Sequence, residues 1–154
     1  MIRKIVKLGD ENLRKTCKPM PKFDLRLWLL LRDMKETMYK AEGVGLAAPQ
    51  VGILRRVVVI DVGDGLVELV NPEIIHTEGE NGGAEGCLSI PGRQGYVVRP
   101  KKVTVRAQDR NGKFFEVTGE DLFARALCHE IDHLDGILYI DKMDHEITED
   151  EQED

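Results

Sequence analysis

The chain has 154 residues, 42% apolar and 32% charged, a length and balance that suit one globular domain and exclude general disorder. Net charge is −6, yet residues 144–154 hold seven acids and no Lys or Arg; the remainder has 22 basic and 21 acidic residues, so the body is nearly neutral and offers no basic face for nucleic acid. The longest unbroken apolar run, Leu27 to Leu31, is five residues, too short to span a membrane.

In chain order, the opening MIRKIVKLGDENL lacks an apolar segment and a small-residue cleavage site, so secretion is not expected. Pro19 and Pro21 break the chain, and Asp24 is suited to cap a helix running to about Ala41. Leu27, Leu30, Leu31, Met34, Met38 and Ala41 recur at three- and four-residue spacing and give that helix one buried stripe, with Gly43 as its stop. Arg56–Asp61, Leu66–Val70 and Lys102–Arg106 are rich in β-branched residues and read as strands. Gly63-Asp64-Gly65 and Asn111-Gly112 supply turns, the second leading into Lys113–Val117 as a hairpin, while residues 79–95 read as a loop. Thr118 with Asp121 resembles a weak capping box that opens a second helix ending near Gly136. This order predicts an α+β fold: mostly antiparallel strands packed around a C-terminal metal-binding helix, with an N-terminal amphipathic helix. One domain, residues 1–143, is followed by an acidic, frayed tail of residues 144–154.

The chemistry concentrates at His129-Glu130-Ile131-Asp132-His133. On a helix, residues four apart share a face about 6 Å apart along the axis, so both imidazoles can reach one divalent cation. Glu130 then lies about 100° round the helix, where a carboxylate can take a proton from an activated water and return it to a leaving group. A helical His pair beside an acid also occurs with no metal, so a third ligand has to be found. The extended zinc-protease pattern would place another His where this chain has Tyr139. Downstream, Glu146 and Glu149 fall in the expected frayed tail, whose ordering costs conformational entropy.

Upstream, Cys128 points about 100° away from His129, on the side opposite Glu130, and suits the core. Cys17 has no ligand-type neighbour, and His76 stands alone beside Ile75 in a strand. Cys87 lies in Glu85-Gly86-Cys87-Leu88-Ser89-Ile90-Pro91-Gly92, flanked by glycines and a proline, and is either the third ligand or a buried free cysteine. A thiolate with two neutral imidazoles suits iron or zinc. Three cysteines without a CxxC pair fit a reducing cytoplasm. Gly43-Val-Gly-Leu-Ala-Ala48 spells GxGxxA, but it follows a helix and runs into Pro49, which rejects a dinucleotide site.

EGCLSIPG at 85–92, HEIDH at 129–133 and GVGLAAPQVG at 43–52 together resemble the peptide deformylase family. Agreement extends to Leu8-Gly9-Asp10, Leu13-Arg14-Lys15, Asn71-Pro72 and Arg99-Pro100, covering residues 8 to 142. The resemblance implies a cytoplasmic hydrolase that removes the formyl group from the N-terminal formyl-methionine of nascent peptides and releases formate, with a transient ribosome contact and no membrane or nucleic-acid partner. It implies that Cys87, His129 and His133 hold one Fe(2+), for which zinc, nickel or cobalt can substitute, and that Glu130 is the general acid/base. By the same resemblance the Gln50 amide and the Leu88 N–H form an oxyanion hole, and Val44, Gly45, Leu88, Leu122, Ala126 and His129 line the substrate site. A monomer is expected.

Two departures stand out: Cys128 replaces the Gln of most relatives, and an acidic tail stands where many bacterial members continue into a longer helix, which puts ribosome docking through such a helix in doubt. A zinc endopeptidase is weakened by Tyr139 and the missing downstream ligand. A silent metal or nascent-chain binding module would need neither Glu130 nor Gln50.

Overall fold

The computed structural model describes residues 1–148. Four consecutive β-branched residues form β2 (Val57–Ile60), and all four side chains are buried. Successive strand residues point to opposite faces, so such a run needs cover on both sides. Val57 and Val59 pack with Leu27, Leu31 and Met34 of helix α1 (Leu25–Lys40), whereas Val58 and Ile60 pack with Leu127 and Ile131 of α2 (Leu122–Leu134). Each such burial contributes about 1.5–3 kcal/mol, which fixes β2 between the helices.

β2 lies in an antiparallel five-stranded sheet with β1 (Gly45–Ala47), β3 (Val67–Glu78), β6 (Lys102–Gln108) and β7 (Phe114–Glu120), in the order β1-β2-β3-β6-β7. A second sheet, ordered β4-β5-β8, contains β4 (Asn81–Cys87), β5 (Ile90–Arg99) and β8 (His145–Ile147). Helix α2 touches the first sheet and also β5, which places it between the two sheets. A single-turn α3 (Tyr139–Lys142) packs Leu138 and Tyr139 with Ile90 and Val97. No helix among the described residues is long and apolar enough to cross a membrane.

Asp24 caps α1 by accepting the Leu27 N–H at 3.4 Å, and the predicted stripe is buried apart from Ala41, the exposed C-cap. The stop differs from expectation: Glu42, at φ 58°, is the left-handed residue, and Gly43 follows with its N–H on the Met38 carbonyl at 3.0 Å. Gly43 lets the Leu88 side chain pack close, since a β-carbon there would lie 2.7 Å from Leu88 Cδ1. Helix α2 does not open on a capping box. Thr118 belongs to β7, and Asp121 is the N-cap with no side-chain capping bond, at φ 53° because one residue makes the reversal from strand to helix. Gly136 ends α2 as expected, at φ 73°.

The expected loop of residues 79–95 is instead mostly the β4–β5 hairpin, with Cys87 opposite Ile90 and Leu88-Ser89 at the turn. Two of its glycines mark close approach rather than slack: a β-carbon on Gly82 would lie 2.0 Å from Tyr96 Oη, and one on Gly95 2.6 Å from Met143 Sδ. Strand β3 continues past the expected Val70 through a bulge at Asn71-Pro72, where the Asn71 amide bonds the Met20 N–H and carbonyl at 2.8 and 3.2 Å. Of the segment expected to fray, His145–Ile147 pair with β5 and Glu146 bonds Arg93; residues 149–154 lie outside the described residues.

Candidate active site

Helical spacing brings His129 and His133 together, with ring centroids 5.1 Å apart. On the facing hairpin, alternation turns Glu85 and Cys87 the same way, and a bulge between them adjusts the aim. Cys87 Sγ lies 3.3 Å from His133 Nε2, and donor atoms of Cys87, His129 and His133 all lie within 4.8 Å of one another. A tetrahedral ion with ordinary bond lengths to sulfur and nitrogen holds those atoms about 3.6 Å apart, so the donor set fits a shared divalent cation.

Buried charges hold the His129 imidazole in place. His129 Nδ1 is 2.8 Å from Glu85 Oε1; a carboxylate there accepts the ring proton and leaves Nε2 free as a donor to metal. Arg99 grips Glu85 through Nε and Nη2 at 2.8 and 2.9 Å and reaches Asp132 through Nη1 at 2.7 Å, while Arg125 Nη1 donates to Glu85 at 2.7 Å. Burial pushes the Glu85 pKa up, but the bonds from Arg99 and then His129 outweigh it and hold the carboxyl well below its usual range. His133 is held far below the usual histidine value by burial and by the charges of His129 and Arg99. His129 is raised although burial opposes it, chiefly through the Glu130 charge and the hydrogen bonds to Cys87 and Glu85. The Tyr139 ring stacks against His129 at 6.1 Å between centroids.

Glu130 is 5% exposed and its Oε1 has no hydrogen-bond partner. Burial pushes its pKa up to about 7, with the Glu85 charge adding and His129 and Arg99 opposing. A carboxyl poised there can both take and give a proton near neutrality. Gln50 sits in the one-turn helix Ala48–Val51, with Oε1 accepting the Ala47 N–H at 3.0 Å and Nε2 donating to Ser89 Oγ at 3.1 Å. Nε2 is also 3.5 Å from Cys87 Sγ, so the amide is aimed at the donor cluster.

These groups border a cleft of about 390 Å³ lined by Val44, Gly45, Leu88, Leu122 and Ala126 as well as His129 and Glu130. The residues placed at the site from the sequence line this one cleft, except His133, which lies buried behind it beside Cys87 and His129. The other candidates are elsewhere: His76 bonds Glu78 at the surface, and Cys17 and Cys128 are in the core. Burial pushes the Cys17 thiol up to about 11 and raises Cys128, which leaves both as inert thiols. Sequence reasoning missed the roles of Glu85, Ser89, Arg99, Arg125 and Tyr139. Glu85 carried a signal, standing two residues before Cys87 on what proves to be a strand.

Three side chains that could hold one metal ion, beside a buried carboxylate and an aimed amide donor, are what a metal-dependent hydrolase requires. The sequence profile of the Polypeptide deformylase family matches residues 2–149, and the chain belongs to that family. It is 60% identical over 152 residues to the peptide deformylase of Thermoanaerobacter pseudethanolicus, covering 99% of this chain and 96% of that one. Among solved structures it resembles the peptide deformylase of Thermotoga maritima (TM-score 0.91, 44% identity, 93% of this chain and 98% of that one). The peptide deformylase from Legionella pneumophila is similar too, with a TM-score of 0.90, 49% identity, and coverage of 99% of this chain and 90% of that one. The chain is thus an enzyme that removes the formyl group from the N-terminal methionine of nascent peptides.

Proposed function

We propose that Cys87, His129 and His133 hold the catalytic metal, that Glu130 carries the proton, and that Gln50 and Leu88 stabilise the developing oxyanion. The observation that carries this reading is the convergence of three donor atoms within 4.8 Å beside a buried carboxylate. When bound, the divalent ion supplies Lewis acidity, which acidifies water and polarises the formyl carbonyl.

The remaining work falls to the chain's own residues. The methionine side chain enters the cleft among Val44, Gly45, Leu88, Leu122 and Ala126, with its formyl group toward Glu130. Glu130 accepts the proton that water gives up as its oxygen bonds to the formyl carbon. Gln50 Nε2 and the Leu88 N–H then donate to the carbonyl oxygen as negative charge develops on it. As the carbon–nitrogen bond breaks, Glu130 delivers the proton to the methionine nitrogen, leaving formate and a free amino terminus. The cleft walls keep bulk water from competing for these hydrogen bonds.

The resident ion in this reading is Fe(2+), with zinc, nickel or cobalt able to replace it, because one thiolate and two imidazoles accept any of these borderline ions. The enzyme is a cytoplasmic monomer whose catalytic domain spans residues 1–143 and which meets nascent chains during a transient ribosome contact. Metal analysis after anaerobic purification tests the ion. About one iron per chain in the wild type and a large loss in Cys87→Ser are expected; zinc throughout, or undiminished iron in Cys87→Ser, would overturn the assignment.

A further inference from the structure

Cys87 is on the β4–β5 hairpin and both imidazoles are on α2, so the donor geometry depends on how firmly hairpin and helix are fixed to one another. Arg125 bridges them. It precedes His129 by one helical turn and so shares its face. Its side chain is 10% exposed. Nη1 donates to Glu85 Oε2 at 2.7 Å and to the Val97 carbonyl at 2.9 Å, and Nη2 donates to the Asn81 carbonyl at 2.8 Å. Those acceptors lie on both strands of the hairpin. Gly83 is matched to this contact, since a β-carbon there would lie 3.1 Å from Nη2. An added methyl there would push the guanidinium by a few tenths of an ångström.

We propose that Arg125 is a positioning residue for the deformylation site: its guanidinium clamps the hairpin to α2 and, through Glu85, sets where the His129 imidazole stands relative to Cys87. The inference rests on the assignment of Cys87, His129 and His133 as ligands. Arg99 already neutralises Glu85 through two bonds, so the contribution of Arg125 is placement rather than charge. Without it, Glu85 keeps Arg99, itself anchored to Asp132 of α2, but the hairpin loses the one guanidinium that ties both of its strands to the turn of α2 before His129.

The test uses the full chain loaded with cobalt(II), reading the visible spectrum of the ion, its affinity by competition with a chelator, and the folded fraction by circular dichroism. Arg125→Ala is expected to weaken cobalt binding by about 10–100-fold, the range for lost partners of metal ligands, and to change the spectrum while the protein stays folded. Millimolar guanidinium should restore part of both, and Arg125→Lys should fall between Arg125→Ala and wild type. Gly83→Ala keeps every charge and should shift affinity in the same direction by a smaller factor, so it decides the question if Arg125→Ala does not fold. Wild-type affinity and spectrum in the folded variants would overturn the clamp, as would an affinity loss no larger than the loss of folded protein. Equal cobalt binding by Cys87→Ser and wild type is a separate outcome: it refutes the ligand assignment and the role of Arg125 with it.

Discussion

Gly45 faces Glu130 so closely that a β-carbon on it would lie 2.5 Å from the carboxylate Oε2. Glu130 is 5% exposed, so it cannot yield to an added methyl group without leaving its place. A displacement of about 1 Å at a reacting group can cost on the order of 10²-fold in rate. Gly45→Ala should therefore lower kcat by about that factor while metal content stays at the wild-type level. Steady-state formate release together with metal analysis checks this, and an unchanged kcat would contradict the placement.

The Gln50 amide is fixed at both ends, by the Ala47 N–H and by Ser89 Oγ. Removing a fixed donor to a developing oxyanion costs about 10²–10³ in kcat. Gln50→Ala should show a loss of that size with little change in KM. Ser89→Ala should show a smaller loss, because it frees the amide without deleting it. Equal effects from the two variants would assign the role to packing.

The helices were legible because local chemistry decides them. Asp24 and the apolar stripe from Leu27 to Met38 define α1, and the spacing of His129 and His133 places both on one face of α2. The β4–β5 hairpin was not, since Gly82, Gly83 and Gly95 are turn residues by composition, whereas in the fold the Tyr96, Arg125 and Met143 side chains pack against them where a β-carbon would stand or press. The start of α2 is not legible because Asp121 adopts a positive-φ backbone that its residue type does not announce. At the site, the proposed metal ligands came from motif spacing and resemblance. The charges behind them pair Glu85 with Arg99 and Arg125, 14 and 40 residues away, and separations of that kind leave no trace in a single sequence.

Asp141 accepts hydrogen bonds from Arg14 and, at 2.9 Å, from the Leu138 N–H, joining the N-terminal region to α3. Burial pushes its pKa up, but those two bonds outweigh it and hold the carboxyl below its ordinary 3.8. A depressed pKa stabilises the fold above the unfolded value, and that stability is lost as pH falls through the folded one. Asp141→Asn should thus lower the unfolding midpoint in urea at pH 7, with the difference from wild type shrinking below about pH 4. A constant difference down to pH 2 would contradict the ion pair.

A ligand that binds only the folded chain stabilises it by mass action, by about 2.7 kcal/mol at a hundredfold excess over Kd. Cobalt should therefore raise the thermal midpoint of the stripped wild-type enzyme, and a strong chelator should reverse the rise. Cys87→Ser should respond far less at the same cobalt concentration. Differential scanning calorimetry with and without the ion checks both, and an equal rise in the two proteins would place the ion elsewhere.

Formate release from formyl-Met-Ala by metal-loaded wild type and Glu130→Gln, with bound metal quantified in both, tests the account most directly. Metal bound equally by both, with turnover in the wild type and a loss of at least about 10²-fold in Glu130→Gln, is the predicted result for a residue that carries the proton. A Glu130→Gln enzyme that binds the metal and releases formate at the wild-type rate would contradict it.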